Sequence, residues 1–285
     1  MFNIAVRNLK IFFRDKSAVF FSLLSVFIII GLYVVFLGDV WSEGYAKLAG
    51  IDTLMDSWII AGIISVASIT TTMGAFGIMV EDRARKNRKD FFSAPLKRSG
   101  IVGGYILSAY IVGVILSVLT FVLGEAYIVI SGGGLLAPLG MLKMLGIILL
   151  SGLASSSLVF FIVSFFWSNS AFAAASTILG TLVGFLTGIY LPIGNLPESV
   201  QVAIKLFPVS HAGALMRQVM MEAPMQASFA GIPENYLVDF KEMMGVIYTY
   251  DGFTATASTH ILILLGTAVL FFFLALFNVS RKSNR

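Results

Sequence analysis

The sequence of 285 residues is 58% hydrophobic and only 12% charged, whereas soluble domains carry about a quarter charged residues. This composition excludes a soluble globular domain, because too few polar side chains remain to face water all round. The net charge of +4 does not indicate nucleic-acid binding, since the basic residues flank apolar runs and fit a membrane surface better. The chain has no Cys, which excludes disulfides and thiol chemistry.

The first segment, residues 1–16, is predicted to form an amphipathic helix that lies in the membrane interface. Asn3, Arg7, Lys10 and Arg14 follow one another at helical spacing and so share one face. The opposite face holds the apolar residues Phe2, Ala5, Val6, Leu9, Phe12 and Phe13. Such a helix places its apolar face in the acyl boundary and its cations near lipid phosphates. The alternative is a basic flank that only sets orientation.

Six long apolar runs follow, and each is predicted to form a transmembrane helix. None contains Asp, Glu, Lys or Arg, and each is long enough to cross a bilayer core of about 30 Å. Small residues in the fourth and fifth spans indicate close helix packing rather than ligand sites. The predicted spans are residues 18–37, 57–80, 101–124, 144–167, 171–191 and 261–279. We therefore expect one all-α integral membrane domain over residues 1–285.

The distribution of Lys and Arg predicts that both termini face the cytoplasm. Most of the 19 basic residues lie in the N-terminal arm, in the loop between the second and third spans and in the C-terminal tail. The other loops hold most of the acidic residues. Because cytoplasmic loops carry the excess of Lys and Arg, six spans place all three basic segments on the cytoplasmic side of the cell membrane.

The loop between the second and third spans, residues 81–96, is the most basic segment of the chain. Cations at helical spacing are followed by an apolar end, where Pro95 stops the helix. A segment of this kind can serve as a lever that a partner protein moves, and the alternative is a loop that only sets topology. The candidate partner contacts are Arg83, Arg85, Lys86, Arg88, Lys89, Phe91, Phe92 and Pro95.

A Pro-rich segment, residues 192–259, separates the fifth and sixth spans. Two short helices are predicted, at 198–206 and 212–221, with Pro208 between them. Neither can span, and their charged residues would be costly deep in lipid. We expect two half-helices that enter the outer leaflet and return; the alternative is a surface cap. The candidate residues of this segment are Pro192, Pro197, Pro208, His211 and Arg217.

Catalytic and metal-binding motifs are absent from the sequence. It contains no Walker A pattern, so the chain cannot hydrolyse ATP through a P-loop. Its two His, His211 and His260, are distant in sequence and have no carboxylate at metal-ligand spacing. We expect a local hydrogen bond for His211 and an interfacial position for His260. Glu125 is expected at the outer interface, and a substrate or proton role is the alternative.

Two stretches resemble the permease subunits of ABC type-2 exporters. GIMVEDRARKNRKDFFSAPLKRSGIVGGYI, residues 77–106, is similar to the first cytoplasmic loop of that family, with a hydrophobic pair before a small residue and Pro. TGIYLPIGNLPESVQVAIKLFPVSHAGALMRQ, residues 187–218, is similar to its external re-entrant segment. With the order of spans, the resemblance covers nearly the whole chain, although the external stretch 221–259 is longer than is common.

The resemblance implies a six-span permease that pairs with a second permease chain, identical or different. Separate ABC ATPase subunits would hold ATP and Mg²⁺, so this chain would have no enzymatic activity and no cofactor of its own. The loop residues named above would form a coupling helix for the ATPases, and the external half-helices would form an outer gate. Export by alternating access is likewise implied by the family.

The second and fifth spans predict the kind of cargo. Their scattered hydroxyl groups among apolar residues suit an amphipathic or hydrophobic drug, peptide or lipid better than a small ion. These hydroxyl residues are Ser65, Ser68, Thr70, Thr71, Thr72, Ser176, Thr177, Thr181 and Thr187.

An ATP-independent secondary transporter or channel is the alternative function. It would need coupling charges or broken helices at mid-membrane, and the predicted spans contain no such charge. An intramembrane enzyme is a third possibility, but it would need converging acids, His or metal ligands that the spans do not supply.

Overall fold

The chain folds into a helical bundle with one small β-hairpin. The computed structural model describes residues 1–33, 48–85, 98–250 and 252–283. The helices are α1 (Phe2–Arg14), α2 (Lys16–Leu32), α3 (Ile51–Ala84), α4 (Arg98–Ile130), α5 (Pro138–Val163), α6 (Asn169–Leu186), α7 (Glu198–Leu206), α8 (Pro208–Met220), α9 (Glu222–Ser228), α10 (Glu234–Met243) and α11 (Ala257–Ser283). A 3-10 turn (Ile193–Asn195) precedes α7, and β1 (Thr249–Tyr250) pairs antiparallel with β2 (Phe253–Thr254).

Five helices of the described chain are long and apolar enough to cross a membrane, namely α3, α4, α5, α6 and α11. They overlap the second to sixth predicted spans, and the prediction of an all-α, multi-pass membrane protein is confirmed. The helix α2 coincides with the first predicted span, but its 17 residues fall short of the roughly 20 that a crossing needs. Residues 34–37 of that span lie outside the described residues, so the count of six stays a prediction.

Most of these helices extend beyond the apolar runs that predicted them. The helix α3 begins at Ile51 rather than at residue 57, and α4 continues to Ile130 rather than to residue 124. A helix that leaves the hydrocarbon core keeps its backbone hydrogen bonds in the headgroup region, where polar side chains are tolerated. The apolar run therefore marks the lipid-buried part of a helix and not its ends.

Two helices end before their predicted spans do: α5 ends at Val163 rather than at residue 167, and α6 ends at Leu186 rather than at residue 191. Gly188 adopts a left-handed φ of 62° directly after it. The amide of Gly188 donates to Phe185 O and the amide of Ile189 to Gly184 O. This paired pattern is a Schellman motif, which closes a helix and favours Gly at the left-handed position.

The helix α3 is the centre of the bundle, with nine-tenths of its apolar window buried. It packs against α2, α4, α5, α6 and α8. Small side chains allow close contact: a Cβ at Gly113 would collide with Thr72 Oγ1. On the α5 side, Ser68 Oγ lies 2.7 Å from Ser151 Oγ and 3.2 Å from Ser155 Oγ. These small residues of the fourth span form a helix-packing seam.

The helix α1 packs on the bundle with one face. Its buried residues are Ile4, Ala5, Asn8 and Phe12. Phe2 and Phe13 of the predicted apolar face are 71% and 39% exposed on the protein surface, and their contact with lipid stays a prediction. The packing face is set by α4, where a Cβ at Gly104 would sit 2.7 Å from Ile4. The glycines at the start of α4 create a flat surface on which α1 docks, and the helical wheel of α1 alone does not contain that information.

Candidate functional site

The end of α3 that leads into the basic loop is held by an ion pair from α1. Arg7 donates from Nη1 and Nη2 to Asp82 Oδ2 and Oδ1, at 2.7 and 3.0 Å. The Tyr105 hydroxyl of α4 donates to the same carboxylate at 2.6 Å. The hydrogen bond and the charge of Asp82 raise the pKa of Arg7 above its ordinary value. Asp82 is buried, so this bidentate pair is shielded from solvent on the carboxylate side.

A second contact ties α1 to the start of α4. The amide of Asn8 donates to Ser108 Oγ at 3.3 Å, and Arg7 Nη1 also donates to Asn8 Oδ1 at 3.0 Å. The short helix α1 therefore bridges the end of α3 and the beginning of α4, which are the two flanks of the basic loop. A movement of the end of α3 or the beginning of α4 would therefore strain the hydrogen bonds of Arg7 or Asn8.

Arg83, a predicted partner contact, is turned into the chain. Its Nη1 donates to Val163 O at 3.0 Å and to Phe166 O at 3.2 Å, where α5 ends. Its guanidinium carbon lies 5.6 Å from the ring centroid of Trp167. A cation on the last carbonyls of a helix satisfies unpaired acceptors and favours the helix dipole. Arg83 thus connects the end of α3 to the turn between α5 and α6.

Arg85 differs from Arg83, because its guanidinium points to solvent. It pairs with Glu81 one helical turn earlier, at 2.6 Å, and its side chain is 70% exposed. The other predicted contacts, Lys86, Arg88, Lys89, Phe91, Phe92 and Pro95, lie outside the described residues. Their part in a coupling helix stays a prediction.

Arg217 lies fully buried at the opposite end of the bundle. Its Nη2 donates to Thr187 O at 3.2 Å and to Gly188 O at 3.0 Å, at the Schellman end of α6. Its guanidinium carbon lies 4.9 Å from the ring centroid of Trp58 in α3. Burial lowers the pKa of Arg217 to about 10, so the side chain remains charged at neutral pH. Carbonyl oxygens and an aromatic face stabilise the cation.

His211 and His260 meet in the interior of the protein near the start of α11, and the position of His260 at the membrane interface stays a prediction. Both are buried, and their Nδ1 atoms lie 2.7 Å apart. His211 Nε2 lies 3.0 Å from Lys205 O, and a carbonyl can only accept. Nε2 of His211 therefore carries the proton, and His260 Nδ1–H donates to His211 Nδ1. The local hydrogen bond expected for His211 is present, and the pair joins α8 to α11.

The sequence offered one signal for this pair. They are the only two His of the chain, and both lie on the same predicted side of the membrane. The ring of Tyr248 completes the cluster, with its centroid 5.4 Å from each imidazole. Burial lowers the pKa of His211, since a cation would be poorly solvated there.

The three predicted gate prolines begin or cap short helical elements. Pro192 precedes the 3-10 turn, Pro197 caps α7 and Pro208 is the first residue of α8. A Pro is favourable there because the first amides of a helix have no intrahelical partner. The helix α8 packs against α3, α5 and α11, and Ser65 of α3 donates to Val209 O at 3.0 Å. The short helices lie against the bundle, and re-entry into the outer leaflet stays a prediction.

A groove of about 760 Å³ runs between α2, α3 and α6. Four of the predicted path residues line it: Thr70, Ser176, Thr177 and Thr181. Each of these hydroxyls donates to the backbone carbonyl one turn earlier, so the groove offers few free donors. The remaining five are buried in helix packing and are not among the described residues that line this groove: Ser65, Ser68, Thr71, Thr72 and Thr187. The groove is therefore mostly apolar.

Glu125 has a local structural contact. It lies near the end of α4, is buried, and accepts a hydrogen bond from the Leu136 amide at 3.0 Å. This bond closes the turn between α4 and α5. Within the described residues, no group of three or more His, Cys, Asp and Glu could hold a metal ion.

Comparison with known proteins gives one match. A family model described as ABC-2 family transporter protein matches residues 47–277. The matched region starts before α3 and reaches into the last helix, so it contains the Arg217 site, the His pair and the α3 and α6 walls of the groove, but not α2. No curated protein matches the chain.

Proposed function

The chain belongs to the ABC-2 transporter family, and we propose that it is the membrane-spanning permease subunit of an ATP-driven exporter. The family supports a permease within a transporter. The observation that carries the finer proposal is the set of contacts at the end of α3, where Asp82 and Arg83 connect the basic loop to α1, α4 and α5. A loop without a mechanical role needs no such connections.

The conformational change of the ATPases would be transmitted to the permease through the basic loop, residues 81–96. ABC ATPase subunits, which hold ATP and Mg²⁺, bind residues 81–96 and displace them when they close on nucleotide. The exposed Arg85 and the basic residues that follow supply the contact. Asp82 passes the displacement to α1 and α4, and Arg83 passes it to the turn between α5 and α6. Interfaces with discrete side-chain contacts move as rigid bodies, as alternating access requires.

Cargo would occupy the groove between α2, α3 and α6. Its walls are mostly apolar, and the described residues that line it include no charged side chain. This supports an amphipathic or hydrophobic drug, peptide or lipid. The helix α6 has only Val183 and Gly184 buried, so a wide face remains for a second permease chain that completes the path. In this arrangement the segment around Arg217 and the His pair is the outer gate.

A secondary transporter or channel remains the competing function. Ion coupling would require a charged group in the transport path, and within the described ranges the residues that line the groove provide none. This observation favours the ATP-driven mechanism.

The test is reconstitution with the candidate ATPase and measurement of ATPase binding and cargo movement. Reversing Arg85, Arg88 and Lys89 to Glu should abolish both. Reversing Lys10 and Arg14 to Glu, the same kind of change on α1, should leave ATPase binding intact. Cargo movement driven by an ion gradient, without ATP or a bound ATPase, would overturn the proposal.

A further inference from the structure

A second cavity, about 650 Å³ in volume, lies between α5, α8, α10 and α11. It is separate from the groove and lies at the other end of the bundle from α1. The N-terminal half of α5 and the first two turns of α11 border it, whereas the last turn of α5 is the one that Arg83 caps. This is the outer end in the proposed orientation.

The lining of this cavity is divided between apolar walls and two cations. Ile147, Leu215 and Ile261 are among the apolar residues, and Lys143 and Lys241 are the cations. Within the described chain neither lysine forms an ion pair or a side-chain hydrogen bond. The remaining charged group in the lining is one carboxylate, and the cavity therefore carries a net positive charge.

The depth of the cavity fits the boundary between lipid headgroups and acyl chains. Lys143 lies in the second turn of α5, about 8 Å along the axis from Pro138. Below it, apolar side chains on α5 and α11 are exposed on the protein surface. These are Leu142, Leu145, Leu149, Leu262 and Leu265. An acyl chain that leaves the cavity can continue along this surface, and the lysines can reach the phosphate above it.

We propose that this cavity binds a phospholipid with an anionic headgroup from the outer leaflet. Its phosphate lies between Lys143 and Lys241, and its chains follow α5 and α11. The carboxylate of Glu222, in the same lining, accepts a hydrogen bond from a headgroup hydroxyl. A free phosphate leaves the apolar walls uncovered, so the acyl chains are part of what is recognised. The leaflet follows from the proposed orientation; the binding itself does not depend on an ATPase.

The test is thermal unfolding of the purified chain in detergent, titrated with dioleoyl phosphatidylglycerol. A ligand that binds only the folded state raises Tm, and we expect a saturable rise of roughly 5 °C. Dioleoyl phosphatidylcholine and inorganic phosphate should give much smaller shifts. An equal rise in Tm with phosphatidylcholine would overturn the proposal that the cavity selects an anionic headgroup. A full rise with inorganic phosphate would overturn the proposal that it binds a lipid.

Variants locate the site. Lys143→Gln with Lys241→Gln should remove the shift, whereas Lys10→Gln on α1 should keep it. Gly146→Phe fills the cavity from α5, where an added Cβ meets nothing within 4 Å; Gly266→Phe is the matched control on α11, with the same open space outside the lining. If phosphatidylglycerol still raises Tm in the double lysine variant and in Gly146→Phe, the proposal is overturned. If a variant fails to fold, a photo-crosslinking residue at Ile261 must label phosphatidylglycerol in the otherwise unchanged protein, and absence of that label also overturns it.

Discussion

The Nδ1 atoms of His211 and His260 lie 2.7 Å apart, although 49 positions separate the two residues in the chain. His260 donates and His211 accepts, so the bond requires the His211 ring to be neutral. Protonation of His211 at Nδ1 would replace the acceptor with a second donor facing His260. The contact between α8 and α11 is therefore sensitive to acid.

Acidification is expected to lower the stability of the fold through this pair. Because burial holds the pKa of His211 below 6.5 in the folded state, the unfolded chain binds more protons once the pH falls below about 6.5. The stabilisation is present above that pH and is lost as the pH falls further. Thermal unfolding between about pH 7.5 and about pH 5.5 should show a falling Tm.

The matched variant for this measurement carries Gln at both His positions. Since the chain has two His in total, this variant contains no imidazole. Near neutral pH it should be less stable than the parent protein. On acidification, its Tm should fall much less than that of the parent. An unchanged fall would assign the pH dependence to carboxylates instead.

Substitution of Arg217 should destabilise the outer end of α6. Arg217→Met removes the donors from two buried carbonyls and should lower the free energy of unfolding by about 3 kcal/mol. Arg217→Lys should also be destabilising, because a single ammonium cannot serve both carbonyls and stack on Trp58. Arg14→Met, at an exposed site on α1, is the control. Chemical or thermal unfolding measures all three, and a Met variant as stable as the parent would refute the role.

The ion pair between Arg7 and Asp82 should show measurable coupling. A double-mutant cycle with Arg7→Gln and Asp82→Asn should give about 1–2 kcal/mol, since the carboxylate is buried and the pair is bidentate. The exposed pair Glu81–Arg85 should give only a few tenths of a kcal/mol in the same assay. Similar coupling energies for both pairs would contradict the importance of burial.

In the assembled transporter, substitution of the Arg7–Asp82 pair should also change the stimulation of ATPase activity by cargo.

Gly188 should tolerate a side chain poorly. Gly188→Ala forces a Cβ into a left-handed conformation and to within 2.7 Å of Ile193 Cγ1, so we expect a loss of at least about 1 kcal/mol. Gly180→Ala is the control, because its Cβ meets nothing within 4 Å and Ala is the better helix former. Unfolding of the two variants in parallel should give changes of opposite sign, and equal losses would contradict the capping role.

Local composition predicted the membrane helices well, because apolar runs report directly on burial in lipid. It did not predict the ends of α3 and α4, where the helix continues into polar surroundings, nor the early stop of α6 at Gly188. Pro208 correctly predicted a break between two short helices, since its effect on the backbone is local.

Contacts between distant segments could not be predicted from the pattern alone. The docking face of α1 depends on Gly104 of α4, which one helical wheel does not contain. Arg217 was identified as a candidate, but its carbonyl partners are backbone atoms, which leave no signature in the sequence. The inward turn of Arg83 has the same cause, because its acceptors are the last carbonyls of α5.

The bond between Arg217 and the end of α6 has a mechanical consequence. Trp58 under the guanidinium and Ile189 against Gly62 fasten α3 and α6 to each other at one end. In the proposed transport cycle, α3 and α6 therefore pivot about that fastened end, and their other ends separate only after the contact of Arg83 with the turn before α6 is broken. Spin labels on α3 and α6 near the fastened end should keep a constant distance through a transport cycle. The distance between labels at the other ends of the same helices should change.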